Sequence, residues 1–405
     1  MRDLFRTRRM WRRRAELKDS YDVVIVGGGS HGLAAAYYLA KDQGIGDVAV
    51  LEKGYIGSGA AGRNTTILRA NYKTVEGARF YDASLKLYEG LGAELGFNLL
   101  FSQNGHLTLA HSDRAMFVMA NRAEVNRING IDSRLIYPDE IKKLAPAMRV
   151  HDPDAVYPIQ GALYHPPGGV IRHDAVVWGL ARGADRGGAE LHPYTEVTGI
   201  ERSNGRVSAV RTNRGTVKTK VVLNCTAGWS SLISDMVGVR LPITTHILQA
   251  CVTEPLKPFL DVVIVSSQMH VYISQTDRGE VLMGAEIEPW TTYRMQGTLN
   301  FMQEVSRHTL ELFPQLERAR ILRSWAGLCD LSPDYSPILG RTEVEGFHIS
   351  SGWGTYGFKA APIVGKTLAE LVATERTPEL IEPFALERFY EDRLVSELAA
   401  AAVSH

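Results

Sequence analysis

Apolar runs of strand length and apolar residues at helical spacing alternate along most of the chain. In YDVVIVGGGSHGLAAAYYLAKDQG (residues 21–44) a continuous apolar run stops at three glycines and gives way to a helical pattern, which predicts strand, glycine turn and helix. DVAVLEK (residues 47–53) predicts the next strand, and residues 75–96 and 112–129 predict helices. GGVIRHDAVVWGLARGA (residues 168–184) predicts a glycine turn opening an amphipathic helix, with Val176, Val177, Leu180, Ala181 and Ala184 on one face. A dense block of short strands is expected over 188–229, with turns at Ser203-Asn204-Gly205 and Asn213-Arg214-Gly215. Further strands are expected around 245–287 and a helix near 297–313. The chain then finishes with a strand (GFHISSG), a glycine loop and a helix (AAPIVGKTLAELV). Both ends of the chain thus carry strand–glycine–helix units, with no long linker or repeat between them. That pattern predicts two interleaved domains, one of them discontinuous.

Composition narrows the classes. Lys plus Arg and Asp plus Glu number 45 each, so no global preference for nucleic acid or acidic partners follows. The three cysteines, Cys225, Cys251 and Cys329, are odd in number and far apart, which argues against a structural zinc and fits a reducing cytoplasm. MRDLFRTRRMWRRR carries seven arginines in fourteen residues with no apolar run, so it reads neither as a secretory signal nor as a membrane span. It is either a solvated arm or a clamp onto an acidic partner chain, with Phe5 and Trp11 as anchors.

VVIVGGGSHG places Gly27, Gly29 and Gly32 in G-x-G-x-x-G spacing between a strand and a helix. Those glycines permit a tight turn, close approach of backbone to a pyrophosphate and close helix packing, with the helix N-terminus facing the phosphates. Glu52 closes the second strand twenty residues later, where a carboxylate takes ribose hydroxyls. The motif alone leaves NAD and FAD open.

Two further segments, LEKGYIGSGAAGRNTTILRANY and VVLNCTAGWS, together with the C-terminal glycine loop GWGTYGFKAAPIVGKT, resemble the FAD-dependent amine oxidases of the glycine oxidase and D-amino acid oxidase superfamily over almost the whole chain. The resemblance implies an α/β fold. A Rossmann-like, glutathione-reductase-type FAD-binding domain is interleaved with an α+β substrate domain on an antiparallel sheet. Segments 20–85, 150–240 and 322–375 are expected to form the FAD-binding domain, and 86–149 with 241–321 the substrate domain. Residues 1–19 form the basic arm and 376–405 a C-terminal helix or tail. FAD-binding roles are implied for Gly27, Gly29, Ser30, His31 and Gly32 in the first turn, with His31 near the phosphates and not catalytic. The same holds for Glu52, Lys53, Ser58, Arg63, Asn64 and Thr65 after the second strand, and for Val197, Ala227 and Gly228 in the middle of the chain. Gly354, Gly357, Phe358 and Lys359 complete the set at the C-terminal loop.

The resemblance also assigns chemistry. Lys359 and Arg69 match the two cations that hold a substrate carboxylate in monomeric sarcosine oxidases, which implies a small amino acid substrate; a surface arginine is the plainer alternative for Arg69. Tyr72 and Tyr272 are candidate walls of the same pocket, or plain core. Gly327 falls where those monomeric enzymes attach FAD through cysteine, so FAD is expected to be non-covalent and Cys329 buried and inert. GEVLMGAE (residues 279–286) lacks the lysine that helps oxygen react, so the electrons need another outlet. His173 is disfavoured as a cation at a helix N-terminus. There it is either a turn residue or a neutral nucleophile. A histidine at this point is similar to the β subunits of heterotetrameric sarcosine oxidases, which implies FMN covalently linked to His173 beside non-covalent FAD. It further implies α, γ and δ partner subunits, tetrahydrofolate bound through the α subunit, and electrons passing from FAD to FMN to oxygen. The alternatives are a single-flavin oxidase or dehydrogenase for dimethylglycine, glycine or a D-amino acid, a flavin-binding electron-transfer or scaffold subunit, and a nicotinamide-linked dehydrogenase.

Overall fold

The computed structural model describes residues 9–12 and 16–397. Its eight α-helices are α1 (Ser30–Gln43), α2 (Val75–Leu95), α3 (Asp113–Ile128), α4 (Pro138–Leu144), α5 (His173–Arg186), α6 (Ser230–Asp235), α7 (Leu299–Leu312) and α8 (Ala361–Thr374).

The apolar strands are continuous because both faces of their sheet are covered. The six-stranded sheet runs in the order Ile338–Arg341, Phe347–Ser351, Val221–Asn224, Val23–Val26, Val48–Glu52, Glu190–Pro193, and every pairing is parallel except the first. Alternation decides which neighbour each residue meets. Val23 and Ile25 pack into a core with α1, α2, α5 and α8, whereas Val24 and Val26 point the other way, into a core with the three-stranded sheet Val197–Ser203, Arg206–Thr212, Gly215–Lys218. The first hairpin of that small sheet turns where expected, with Asn204 and Gly205 both at positive φ (52° and 81°). Two successive positive φ values match the twist of a tight antiparallel hairpin.

An eight-stranded sheet forms the second layer, in the order Ile321–Leu331, Thr244–Pro255, Glu280–Ile287, Val271–Gln275, Val263–Ser266, His106–Ala110, Gly161–His165, Arg134–Ile136. It is antiparallel throughout except where Val263–Ser266 runs parallel to His106–Ala110. Its own core includes Leu107, Leu109, Ile264, Ile273 and Phe301.

The segment boundaries differ from those expected. Strand Ile321–Leu331, placed in the FAD-binding segment, pairs with Thr244–Pro255 in the eight-stranded sheet, and Gly161–His165 also belongs there. α2 continues ten residues past position 85, because Leu91 and Leu95 pack into the same core as α1 and α5. The tail forms two short 3-10 turns, Glu382–Phe384 and Leu386–Phe389, with no further α-helix through residue 397. Buried Arg388 anchors it by donating to both carboxylate oxygens of Asp334 (2.8 and 2.9 Å). Trp11 packs against this chain's own core and Arg12 pairs with Asp185, so this part of the arm docks in cis; Phe5 lies outside the described residues. Among the described residues no helix is long and apolar enough to cross a membrane.

The two helices that carry glycine loops at their N-termini, α1 and α8, lie close together because Gly365 has no side chain. A Cβ there would fall 2.4 Å from the Ala34 backbone. Gly365→Val is therefore expected to cost about 1–3 kcal/mol through overpacking, read as a lowered midpoint of chemical unfolding.

Candidate active site

One cavity of about 790 Å³ runs from the first glycine turn into the gap between the two large sheets. At its first end, Gly27 sits at φ +108°, and a Cβ there would lie 2.4 Å from the Cys225 carbonyl. Gly29, Ser30 and His31 line the wall at the start of α1, while Gly32 does not. Gly32 instead lets α1 pack onto the turn, since its Cβ would meet the Gly27 carbonyl at 2.1 Å. Glu52 accepts from the Gly28 and Gly54 N–H groups (2.9 and 2.8 Å), which fixes its carboxylate at the mouth of this end. Lys53, Ser58, Arg63, Asn64, Thr65, Val197 and Ala227 line the same cavity. Lys53 also places its ammonium 3.8 Å from the Trp229 ring centre. Gly228 is outside the wall; a Cβ there would meet Leu328 at 2.7 Å, so it is a packing residue.

The C-terminal loop closes the cavity from the opposite side, with Gly354, Gly357, Phe358 and Lys359 all in its wall. His31 ties the two glycine loops together. Its Nε2 lies 2.7 Å from the Gly357 carbonyl, which can only accept, so Nε2 carries the proton and Nδ1 accepts from the Ser350 hydroxyl at 3.0 Å. Burial lowers the pKa of this imidazole to about 4. The loop is held further by Tyr88, which donates to the Phe358 carbonyl (2.7 Å), and by Ser84, which donates to that of Lys359 (2.7 Å), both from α2. Gly352 N–H donates to the Asp330 carboxylate at 2.6 Å, and burial raises that acid's pKa to about 6.

Between the sheets, buried Arg69 and half-buried Lys359 line the cavity together. Burial, reinforced by the Arg69 charge, pushes the Lys359 ammonium well below the usual lysine range. His165 fixes the backbone beside Arg69: its Nδ1 donates to the Asp132 carbonyl at 2.6 Å, and Nε2 accepts from Ala70 N–H at 3.1 Å. Tyr272 is in the cavity wall. Tyr72 is not, because it is fully buried, stacked on Tyr81 at 3.9 Å and covered by the Arg69 guanidinium at 4.2 Å. It supports Arg69 from behind. His173 starts α5 as expected, but outside the cavity wall.

Comparison with known proteins fixes the class. Residues 22–371 match the family described as FAD dependent oxidoreductase. This chain belongs to that family. It is 44% identical to the sarcosine oxidase subunit beta of an Arthrobacter species, over 96% of each chain. It is also 44% identical to the sarcosine oxidase subunit beta of Rhizobium meliloti, over 96% of this chain and 93% of that one. The L-proline dehydrogenase structure from P. horikoshii superposes with a TM-score of 0.88 at 32% identity, covering 94% of this chain and all of that one. The fold is α/β, and the extended cavity fits the FAD that the family description names. Its glycine-built first end admits backbone close to a pyrophosphate, and its second end is cationic.

Several residues of the site went unnoticed in the sequence. His106 lines the cavity near Arg69, almost fully buried and with Nδ1 unbonded, and its neighbour at Thr108 faces the same way. The alternation in HLTLA carries that signal: Leu107 and Leu109 enter the core, so 106 and 108 share the other face. Asp330 also lines the wall, and only the fold brings it there, whereas Thr226, Trp229 and Trp353 line it from the segments VVLNCTAGWS and GWGTYGFKAAPIVGKT already singled out.

Neutral His31 has a folded pKa below its unfolded value, so its contribution to stability is complete above about pH 6.5 and is lost as pH falls toward 4. His165 and His348, also lowered to about 4, act in the same direction. His31→Gln is expected to flatten the loss of stability between about pH 6.5 and 4 by up to one proton's worth of slope, measured by unfolding across that range. An unchanged slope would show that His31 already titrates normally.

Proposed function

We propose that this chain is the catalytic β subunit of a multi-subunit sarcosine oxidase, and the observation that carries the reading is the shared position of Arg69 and Lys359 at one end of a cavity whose other end is built for a dinucleotide. N-methylglycine is a short zwitterion, so its recognition reduces to a carboxylate, an amine and one methyl group. A guanidinium grips a carboxylate through two parallel N–H bonds, and an ammonium adds charge from another direction. Apolar wall residues such as Val265 and Leu248 exclude water from the rest. Two cations beside the substrate also disfavour its ammonium form. That favours the neutral amine, the form able to give up a C–H bond with its electron pair.

Bound non-covalent FAD supplies the two-electron acceptor. Gly327 stands in the cavity wall with no side chain to form a bond, and the Cys329 thiol beside it is held well above its ordinary pKa by burial, away from the reactive thiolate. The substrate leaves as an imine, and water converts this to glycine and formaldehyde, with the one-carbon unit passing to tetrahydrofolate where a partner α subunit holds it. The lysines in the wall among the described residues are Lys53 and Lys359, neither from strand Glu280–Ile287. This supports a separate outlet to oxygen.

His173 fits that outlet. Among the described residues neither of its ring nitrogens is hydrogen-bonded, and burial lowers its pKa despite Asp174, so the imidazole is neutral and nucleophilic. FMN attached there would supply a second redox centre, with hydrogen peroxide as the reduced product and α, γ and δ subunits completing the assembly.

Arg69→Ala or Lys359→Ala is expected to weaken sarcosine binding by about 2–5 kcal/mol, roughly thirtyfold or more, read as anaerobic bleaching of the FAD absorbance against sarcosine concentration. Bleaching at wild-type affinity in both variants contradicts the carboxylate assignment. For the second flavin, acid precipitation of the protein co-expressed with its partner chains is expected to leave flavin on a peptide containing His173, with free FAD in the supernatant. A colourless pellet reduces the reading to a single-flavin amino acid oxidase.

A further inference from the structure

Arg122 lies on the buried face of α3, outside the cavity wall, and reaches the segment that carries Arg69. Its Nε donates to the Asn71 carbonyl at 2.6 Å; its Nη2 donates to the same carbonyl and to Asn71 Oδ1, the latter at 3.2 Å. Arg69 donates from Nη1 to those same two oxygens, each at 3.2 Å. Two guanidiniums therefore share one neutral, fully buried asparagine. One turn further along α3, Asn126 donates to the Tyr72 carbonyl at 3.1 Å, which pins the next peptide of the segment.

Nothing in the packing requires this charge. Among the described residues no carboxylate lies within ion-pair distance of Arg122, and a neutral donor would satisfy Asn71 without burying a second cation. Burial and the Arg69 charge lower the Arg122 pKa to about 9. Glu397 opposes the effect from a distance, its carboxylate accepting from the Lys73 and Thr74 N–H groups (2.9 Å each) beside the start of α2. Like charges in a medium of low polarity repel strongly. An anion arriving beside Arg69 relieves that repulsion, and the relief adds to its binding energy.

We propose that Arg122 is a positioning residue for the substrate carboxylate: through Asn71 it fixes the Arg69 guanidinium, and its charge deepens the field the carboxylate enters. This rests on the reading of Arg69 as a carboxylate ligand. The arrangement makes binding selective for the anionic end of the substrate and leaves the breaking C–H bond untouched. Its signature is a loss in affinity with the limiting rate retained.

The test uses the FAD-loaded protein, with acetate as the simplest carboxylate, titrated by its perturbation of the flavin spectrum, and sarcosine for anaerobic reduction. Arg122→Gln is expected to raise the acetate Kd about tenfold while the limiting rate of FAD reduction stays within about twofold. Arg122→Lys, which keeps the charge, is expected to recover acetate binding to within about threefold of wild type. Asn71→Asp, which puts a carboxylate between the guanidiniums, is expected to weaken acetate at least as much as Arg122→Gln, and it carries the test if Arg122→Gln does not retain FAD. Wild-type acetate affinity in Arg122→Gln or Asn71→Asp, alongside lost affinity in Arg69→Ala, overturns the positioning role and leaves the carboxylate reading standing. Wild-type affinity in all of them, Arg69→Ala included, overturns the carboxylate reading itself. A limiting rate that falls in step with affinity also overturns the proposal, since Arg122 would then act on the chemistry or on the fold at large.

Discussion

The burial of positive charge between the two large sheets is the constraint on which the site depends. Arg69 and Lys359 come from opposite ends of the chain, and each must leave water to line the same cavity. Cations lose hydration there, and their mutual repulsion is felt at low polarity. The surrounding structure is arranged to hold them in spite of that. His165 fixes the peptide after Arg69, Asn71 takes the guanidinium, Tyr72 supplies a ring beneath it, and α2 grips the carbonyls on either side of the Phe358–Lys359 bond. In the proposed reading, a substrate carboxylate completes the charge balance that these side chains leave open.

The same architecture joins the two ends of the cavity. The first glycine turn begins α1, the last glycine loop begins α8, and the close approach of those helices at Gly365 and Ala34 sets the distance between the loops. His31 then bonds one loop to the other as a neutral imidazole. A residue expected only beside the phosphates thus acts as the stitch between the two halves of the dinucleotide site. Asp330, on the edge strand Ile321–Leu331 of the eight-stranded sheet, holds Gly352 and Gly354 through its carboxylate and carbonyl, so that sheet also fixes the C-terminal loop.

Much of this was legible in the sequence, for physical reasons. Strand, glycine turn and helix are short-range, and the G-x-G-x-x-G spacing with Glu52 twenty residues on reports a local geometry. α1, α2, α3, α5, α7 and α8 form where apolar periodicity places them. The assignment of segments to sheets was less legible, because nothing local in Gly161–His165 or Ile321–Leu331 says which sheet each joins. Hydrogen bonding to distant partners decided that. Tyr72 shows the limit for side chains. The sequence left it as either a wall residue or plain core, and stacking on Tyr81 turns the ring into the core. His106, Asp330 and Arg122 gave no motif, since their positions depend on contacts between segments far apart in the chain.

The most direct test of the central claim is a crystal structure of the FAD-loaded protein with acetate bound. The expected result is a carboxylate held by the Arg69 guanidinium and the Lys359 ammonium, facing the flavin ring across the cavity. A carboxylate bound elsewhere, with Arg69 and Lys359 both unengaged, contradicts the assignment of this site.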